Sequence, residues 1–250
     1  MKKFFRKPDL IKLTGYLLIA ISVLLLIMLS VFKLPQLRMW YEEYQEYLLV
    51  LELRVAALEG KWIILVAIFF LFTLKSLVPL AILPISAVCV ISAMVFNLPI
   101  SLLINILGLV IIFSIRYYIG KRWKTLPYRI LKSYDEIWKI LEHDGDGNPW
   151  LLFLCRIIPL FPINTVSNIY GGLKYDFRKY LLISVSAFLP KLLSYSIIGR
   201  NAFNPFSASF IIPVMISSFI SGVGVLTTRK IIIFIRRKGE EDVKNKNQFR

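Results

Sequence analysis

Residues 150 to 173 form a run apolar enough for a bilayer, yet the stretch Arg156-Ile157-Ile158-Pro159-Leu160-Phe161-Pro162 places one charge and two helix breakers inside it, with Asn164, Asn168 and the pair Gly171-Gly172 close behind. Hydrocarbon offers backbone groups no partner, so broken backbone survives there only where protein or a water-lined cavity satisfies it. A charge at that depth is costly and faces a cavity or a partner. The stretch therefore cannot be an ordinary spanning helix.

The rest of the chain fixes the medium. Of its 250 residues 57% are hydrophobic, more than soluble domains carry, which makes this an all-α polytopic membrane protein. Apolar runs of the length needed to cross a bilayer lie at 13–32, about 100–119, about 178–199 and about 208–227. The basic start, with Lys2, Lys3, Arg6, Lys7 and Lys12, leads into the first run without a small-x-small cleavage site behind it, so that run reads as a retained signal anchor. Two further apolar regions do not fit one crossing each: 62–97, which carries Pro79 and Pro84, and 150–173, which carries Pro159 and Pro162.

Charge decides how those two regions are threaded. If both are re-entrant hairpins, the N-terminus, the loop 120–149, the segment 174–179 and the C-terminal tail share one face of the membrane. Together with Arg116 these hold 23 of the 31 Lys and Arg residues. The other face receives 33–61, with Glu42, Glu43, Glu46, Glu52 and Glu59 against four basic residues, and the loop at Arg200. That asymmetry is the positive-inside pattern with both termini cytoplasmic. The expected architecture is four transmembrane helices plus two opposed re-entrant helical hairpins arranged as inverted repeats. Its parts are an anchor over 1–35, an outer interfacial helix over 36–61, a core over 62–205, a last span over 206–228 and a basic tail over 229–250.

The core divides into repeats over 62–121 and 150–200. Lys75-x3-Pro79-x4-Pro84 parallels Arg156-x2-Pro159-x2-Pro162, and each repeat closes on a Gly-basic pair, Gly120-Lys121 and Gly199-Arg200. From second proline to terminal glycine the separations are 36 and 37 residues. Inverted repeats with broken helices near the midplane are a recurrent transporter plan.

The segment Phe153 to Gly172 resembles the signature of the DedA and VTT-domain group, also called SNARE-associated Golgi proteins: an arginine, two spaced prolines, an asparagine and a glycine. Phe177, Pro190, Tyr195 and Gly199 continue the match, and the resemblance covers about 60–205. It implies a multi-pass protein with two opposed re-entrant hairpins, and either envelope homeostasis with flipping of lipid carriers, as for bacterial relatives, or phospholipid scrambling, as for eukaryotic ones. The implied location is a bacterial plasma membrane. The chain departs from the bacterial pattern in reading Pro84-Ile85-Ser86, where many relatives place a carboxylate after the proline.

All fifteen Asp and Glu residues fall outside the membrane regions, which argues against proton coupling through an intramembrane acid. What remains inside is Lys75, Arg156 and Lys191. Lys191 is twelve residues beyond Lys179, about 18 Å along a helix, too deep for easy snorkelling. Arg156, helped by Lys191 and Lys75, suits a lipid phosphate, which a guanidinium grips bidentately; the plainer alternative is a snorkelling arginine or a donor tying down carbonyls freed by Pro159. Asn164 and Asn168 read as caps of the broken helix or as headgroup contacts. The four prolines shape the hairpins, and Gly171 and Gly172 serve close packing or a positive φ at the exit.

The functional expectation is a translocator of a phosphate-bearing lipid, its partners being anionic membrane lipids, with a non-transporting scaffold as the alternative and an ion- or proton-coupled solute transporter below both. No nucleic acid is expected, because the basic residues flank membrane segments instead of forming one patch. No enzyme chemistry, metal or cofactor is expected either. His143, the single histidine, stands in a polar loop whose Asp144-x-Asp146-x-Asn148 start lacks the later residues of a calcium loop. Cys89 and Cys155 read as buried free thiols.

Overall fold

The computed structural model describes residues 8–31, 35–77, 84–122, 147–157, 163–227. Pro79, Pro159, Pro162, most of the loop 120–149 with His143, and the tail from 228 lie outside the described residues. Every regular element among the described residues is a helix: α1 Pro8–Val31, α2 Pro35–Ala56, α3 Lys61–Leu77, α4 Ile85–Val95, α5 Leu98–Arg122, α6 Pro149–Ile157, α7 Ile163–Gly172, α8 Phe177–Arg200 and α9 Ala208–Thr227.

Four of these are long and apolar enough to cross a membrane: Lys12–Val31 within α1, then α5, α8 and α9. All four coincide with the runs anticipated from hydropathy. α5 is the most enclosed and α1 the least; α1 leaves Leu13, Leu17, Leu24 and Ile27 more than half exposed, the face a lipid-contacting helix presents.

The two proline-bearing regions each become a pair of short helices. α3 packs against α4, and α6 against α7. The first break ends at Pro84, whose extended backbone (φ −71°, ψ 140°) forms the N-cap of α4. α2 packs against α4, and its Tyr41 donates a short hydrogen bond to Asn204 Oδ1 and meets the Phe206 ring edge-on at 5.1 Å. A helix thus occupies the segment for which an outer interfacial helix over 36–61 was expected, and it contacts α4.

The chain divides into two compact units. One comprises Met1–Tyr16, Phe113–Ala187 and Ser221–Arg250; the other Leu17–Ile112 and Phe188–Ile220. The first contains hairpin α6–α7 with the end of α5 and the start of α8; the second contains hairpin α3–α4 with the start of α5 and the end of α8. In the first unit the Gly15 Cα faces the Leu226 side chain so closely that a Cβ would collide with it. In the second, Ser22 Oγ donates to the Met215 carbonyl at 3.2 Å. Small residues let helix backbones approach where no hydrophobic force separates helix from lipid.

Candidate functional site

In the first unit, hairpin α6–α7 is set by local chemistry. Asn148 caps α6, its Oδ1 accepting from the Trp150 and Leu151 amides at 2.9 and 3.2 Å, and Pro149 occupies the first helical position, where its missing N–H costs nothing. Tyr170 on α7 donates its hydroxyl to the Asn148 carbonyl at 2.6 Å, joining the hairpin's entrance to its exit. After Gly172 the chain turns through Lys174 at φ 56°, with Lys174 N–H on the Gly171 carbonyl and Tyr175 N–H on the Tyr170 carbonyl. These two bonds define a Schellman cap with lysine where glycine is usual. Asp176 then starts α8, its Oδ1 accepting from the Lys179 amide at 2.8 Å.

Arg156 lies on the last turn of α6 and is 1% exposed. Its Nε donates to Ser184 Oγ at 3.2 Å, Nη1 to the Ile163 carbonyl at 3.0 Å, and Nη2 to Ser167 Oγ at 2.8 Å and to the Tyr180 hydroxyl at 2.9 Å. The guanidinium carbon stands 4.3 Å from the centre of the Phe113 ring. One side chain therefore clamps both arms of the hairpin to α5 and α8. The one backbone acceptor among these bonds is the carbonyl of Ile163, the first residue of α7. These acceptors are neutral, and the Phe113 ring lies under the charge.

Two glycines allow the close crossing of α5 and α7. A Cβ on Gly120 would run into the backbone of Asn168, and one on Gly171 into the Tyr117 carbonyl and the Lys121 amide. Gly171 therefore serves packing, while the positive φ expected of the glycine pair falls on Lys174. Tyr117 donates a short hydrogen bond to the Tyr175 carbonyl, and its ring lies 5.0 Å from that of Tyr180.

The second unit repeats this plan with other residues. Gly199, the terminal glycine of the second repeat, abuts the Val90 carbonyl and Ala93 on α4. Val90 follows Pro84 by six residues, as Asn168 follows Pro162, so the two glycine contacts occupy equivalent positions. Counting back fifteen residues from each terminal glycine gives Asn105 and Ser184. Asn105 is fully buried and donates through Nδ2 to the Cys89 carbonyl and to Ser196 Oγ, each at 3.2 Å. An amide thus closes the second unit at the position where a serine receives Arg156 in the first.

Of the residues singled out by sequence, Arg156, Asn164 and Asn168 fall together on hairpin α6–α7, whereas Lys75 and Lys191 belong to the other unit. Lys75 is half-buried on α3; Lys191, half-buried on α8, has its Nζ 5.4 Å from the Phe188 ring centre. Asn168 is 5% exposed, and the Oδ1 atoms of Asn164 and Asn168 are buried without a hydrogen-bond partner. Sequence reasoning treated Arg116 as a flanking charge at the inner face; it is 6% exposed. Its place two turns inside the end of α5, on the face that carries Phe113 and Gly120, was the available signal.

The fold and these broken, internally clamped elements define an integral membrane protein of the multi-pass, all-helical class. Residues 83–201 match the family model of the VTT domain, the domain of the DedA/SNARE-associated Golgi protein family. Comparison with curated proteins and with solved structures found no match for the chain.

Proposed function

We propose that this protein is a translocator of phosphate-bearing lipids, with the headgroup passing along the polar interior of the VTT core while the chains stay in lipid. The observation that carries this reading is the sign of the buried charge. Helices α3 to α8 contain no Asp or Glu, yet Arg116 and Arg156 are buried among them, and Lys75 and Lys191 are half-buried. Cationic side chains in membrane helices are costly, and an excess of that one sign with no acid on the same helices favours an anionic ligand or pathway.

In this reading Arg156 fixes the hairpin geometry and contributes its field, since its donors are taken up internally. Each short-helix pair enters and leaves the membrane by the same face, the two pairs from opposite faces; the termini are cytoplasmic, and the membrane is a bacterial plasma membrane acting in lipid homeostasis.

The test is reconstitution into liposomes with fluorescent phosphatidylglycerol and, separately, a fluorescent glucosylceramide, followed by quenching of the outer leaflet. Movement of the phosphate lipid above the protein-free rate, without movement of the glycolipid, supports the reading. A phosphate-lipid rate equal to that of empty liposomes overturns it and leaves the scaffold role.

A further inference from the structure

Arg116 is the counter-case to Arg156. Both are buried arginines of the same unit, but the Nε and Nη2 of Arg116 are buried and donate to no acceptor. Buried polar groups without partners are rare in folded proteins, and each calls for a specific explanation.

The surroundings of Arg116 give one. Three residues before it, Phe113 lies under the Arg156 guanidinium; four residues after it, Gly120 lies against the Asn168 backbone. Residues three and four apart share a helix face, so Arg116 sits on the face of α5 turned to hairpin α6–α7. On that hairpin, Asn164 and Asn168 are one turn apart, and the Oδ1 of each is buried and unpartnered. Donors on one helix and acceptors on the crossing helix are thus left unmet within a single unit.

The chemistry of the unmet groups selects the ligand. Nε–H and the adjacent Nη2–H lie along one edge of the planar guanidinium and point the same way, the geometry that takes two oxygens of one phosphate. A single water molecule can lie between them, but it brings no negative charge to set against the guanidinium. The asparagine oxygens accept hydrogen bonds, so they suit a hydroxyl or ammonium carried beside that phosphate. We infer that Arg116, with Asn164 and Asn168, forms a binding site for a phosphate ester, its Nε–Nη2 edge holding the phosphate oxygens. The inference rests on the translocator reading for the source of the phosphate, a lipid headgroup; a free phosphate ion would satisfy the same edge.

The experiment uses the full-length protein in maltoside micelles and measures binding by calorimetry and thermal protection. The probes are dihexanoyl phosphatidylglycerol, dihexanoyl phosphatidic acid and inorganic phosphate. Arg116→Gln, Arg116→Lys and Arg122→Gln are compared with the parent; Arg122 is an exposed arginine on the same helix and controls for net charge. The expected result is at least a tenfold loss of affinity in Arg116→Gln, an intermediate loss in Arg116→Lys and no change in Arg122→Gln.

Without ligand, Arg116→Gln should melt no lower than the parent, because it removes an uncompensated buried charge; a purely structural arginine would give a lower melting temperature. Binding of the short-chain lipids alone supports a headgroup site, and equal binding of inorganic phosphate supports a site for the free ion. Equal affinity of parent and Arg116→Gln for every probe, or no binding by the parent, overturns the inference. Arg116-dependent binding without lipid movement in liposomes would instead defeat the translocator reading and leave the site standing, and movement unaffected by Arg116→Gln would do the reverse.

Discussion

Gly120 at the end of α5 rests on the backbone of Asn168 in α7, and a single added methyl would collide with that residue's carbonyl. Gly199 stands in the same relation to Val90 in α4. The terminal glycine of each repeat is therefore seated on a residue six positions beyond a hairpin's second proline, but in the hairpin of the other repeat. This exchange of glycine seats makes the two repeats dependent on each other for packing.

Gly120→Ala and Gly199→Ala should each destabilise the protein by about 1–3 kcal/mol, the cost of overpacking a close backbone contact. Thermal unfolding in detergent, followed by tryptophan fluorescence, measures it. Equal stability of either variant and the parent would show that the crossing relaxes freely.

Tyr180→Phe removes the hydroxyl that accepts from Arg156 Nη2 while leaving the ring against that of Tyr117. A hydrogen bond to a charged group contributes about 1.5–3 kcal/mol, so the melting temperature should fall by a corresponding amount. Arg156→Lys should cost more, because a single ammonium cannot reproduce donors directed at Ser184, Ile163, Ser167 and Tyr180 together. A smaller effect for Arg156→Lys than for Tyr180→Phe would contradict the clamp.

Lys174 occupies the left-handed position of the cap after α7. Lys174→Gly relieves a conformation that costs an L-residue about 1–2 kcal/mol, partly offset by glycine's freedom in the unfolded chain. A small rise in melting temperature is expected, read by the same unfolding assay. A fall would show that the lysine side chain contributes more than its backbone costs.

Asn105→Leu removes the amide that joins the Cys89 carbonyl and Ser196, leaving both polar groups buried. A loss of about 1–3 kcal/mol should follow, and a reactive thiol probe should label Cys89 faster as α4 loosens. Unchanged labelling would place the constraint on α4 elsewhere.

Orientation is checked by single cysteines in a cysteine-free background. Asp135→Cys and Asn245→Cys should both be labelled by an impermeant reagent only after the cytoplasmic side is opened. Labelling of either from outside intact cells would refute the threading in which both hairpins re-enter.

Much of this was legible in the chain because lipid imposes strict rules. A run near twenty apolar residues must be a helix, proline must break it, and the lysines and arginines must gather on one side; hence the spans, the broken pairs and the repeat spacing follow from 13–32, Pro84, Pro162, Gly120 and Gly199 alone. Hydropathy treats residues one at a time, however, and carries no information on which side chain meets which.

Arg156 and Arg116 show where that limit falls. In sequence each is an arginine within an apolar stretch, and the first drew attention through its prolines while the second passed as a flanking charge. Only the folded chain distinguishes them: the start of α8 brings Ser184 and Tyr180 to Arg156, and the crossing of α5 and α7 encloses Arg116 without supplying an acceptor to its Nε or Nη2. Composition and periodicity determined that this protein lives in the membrane as paired broken helices, because burial in lipid is a one-dimensional requirement. Which cation is satisfied and which is left open depends on hydrogen-bond directions between residues distant in the chain, and those exist only once the helices have packed.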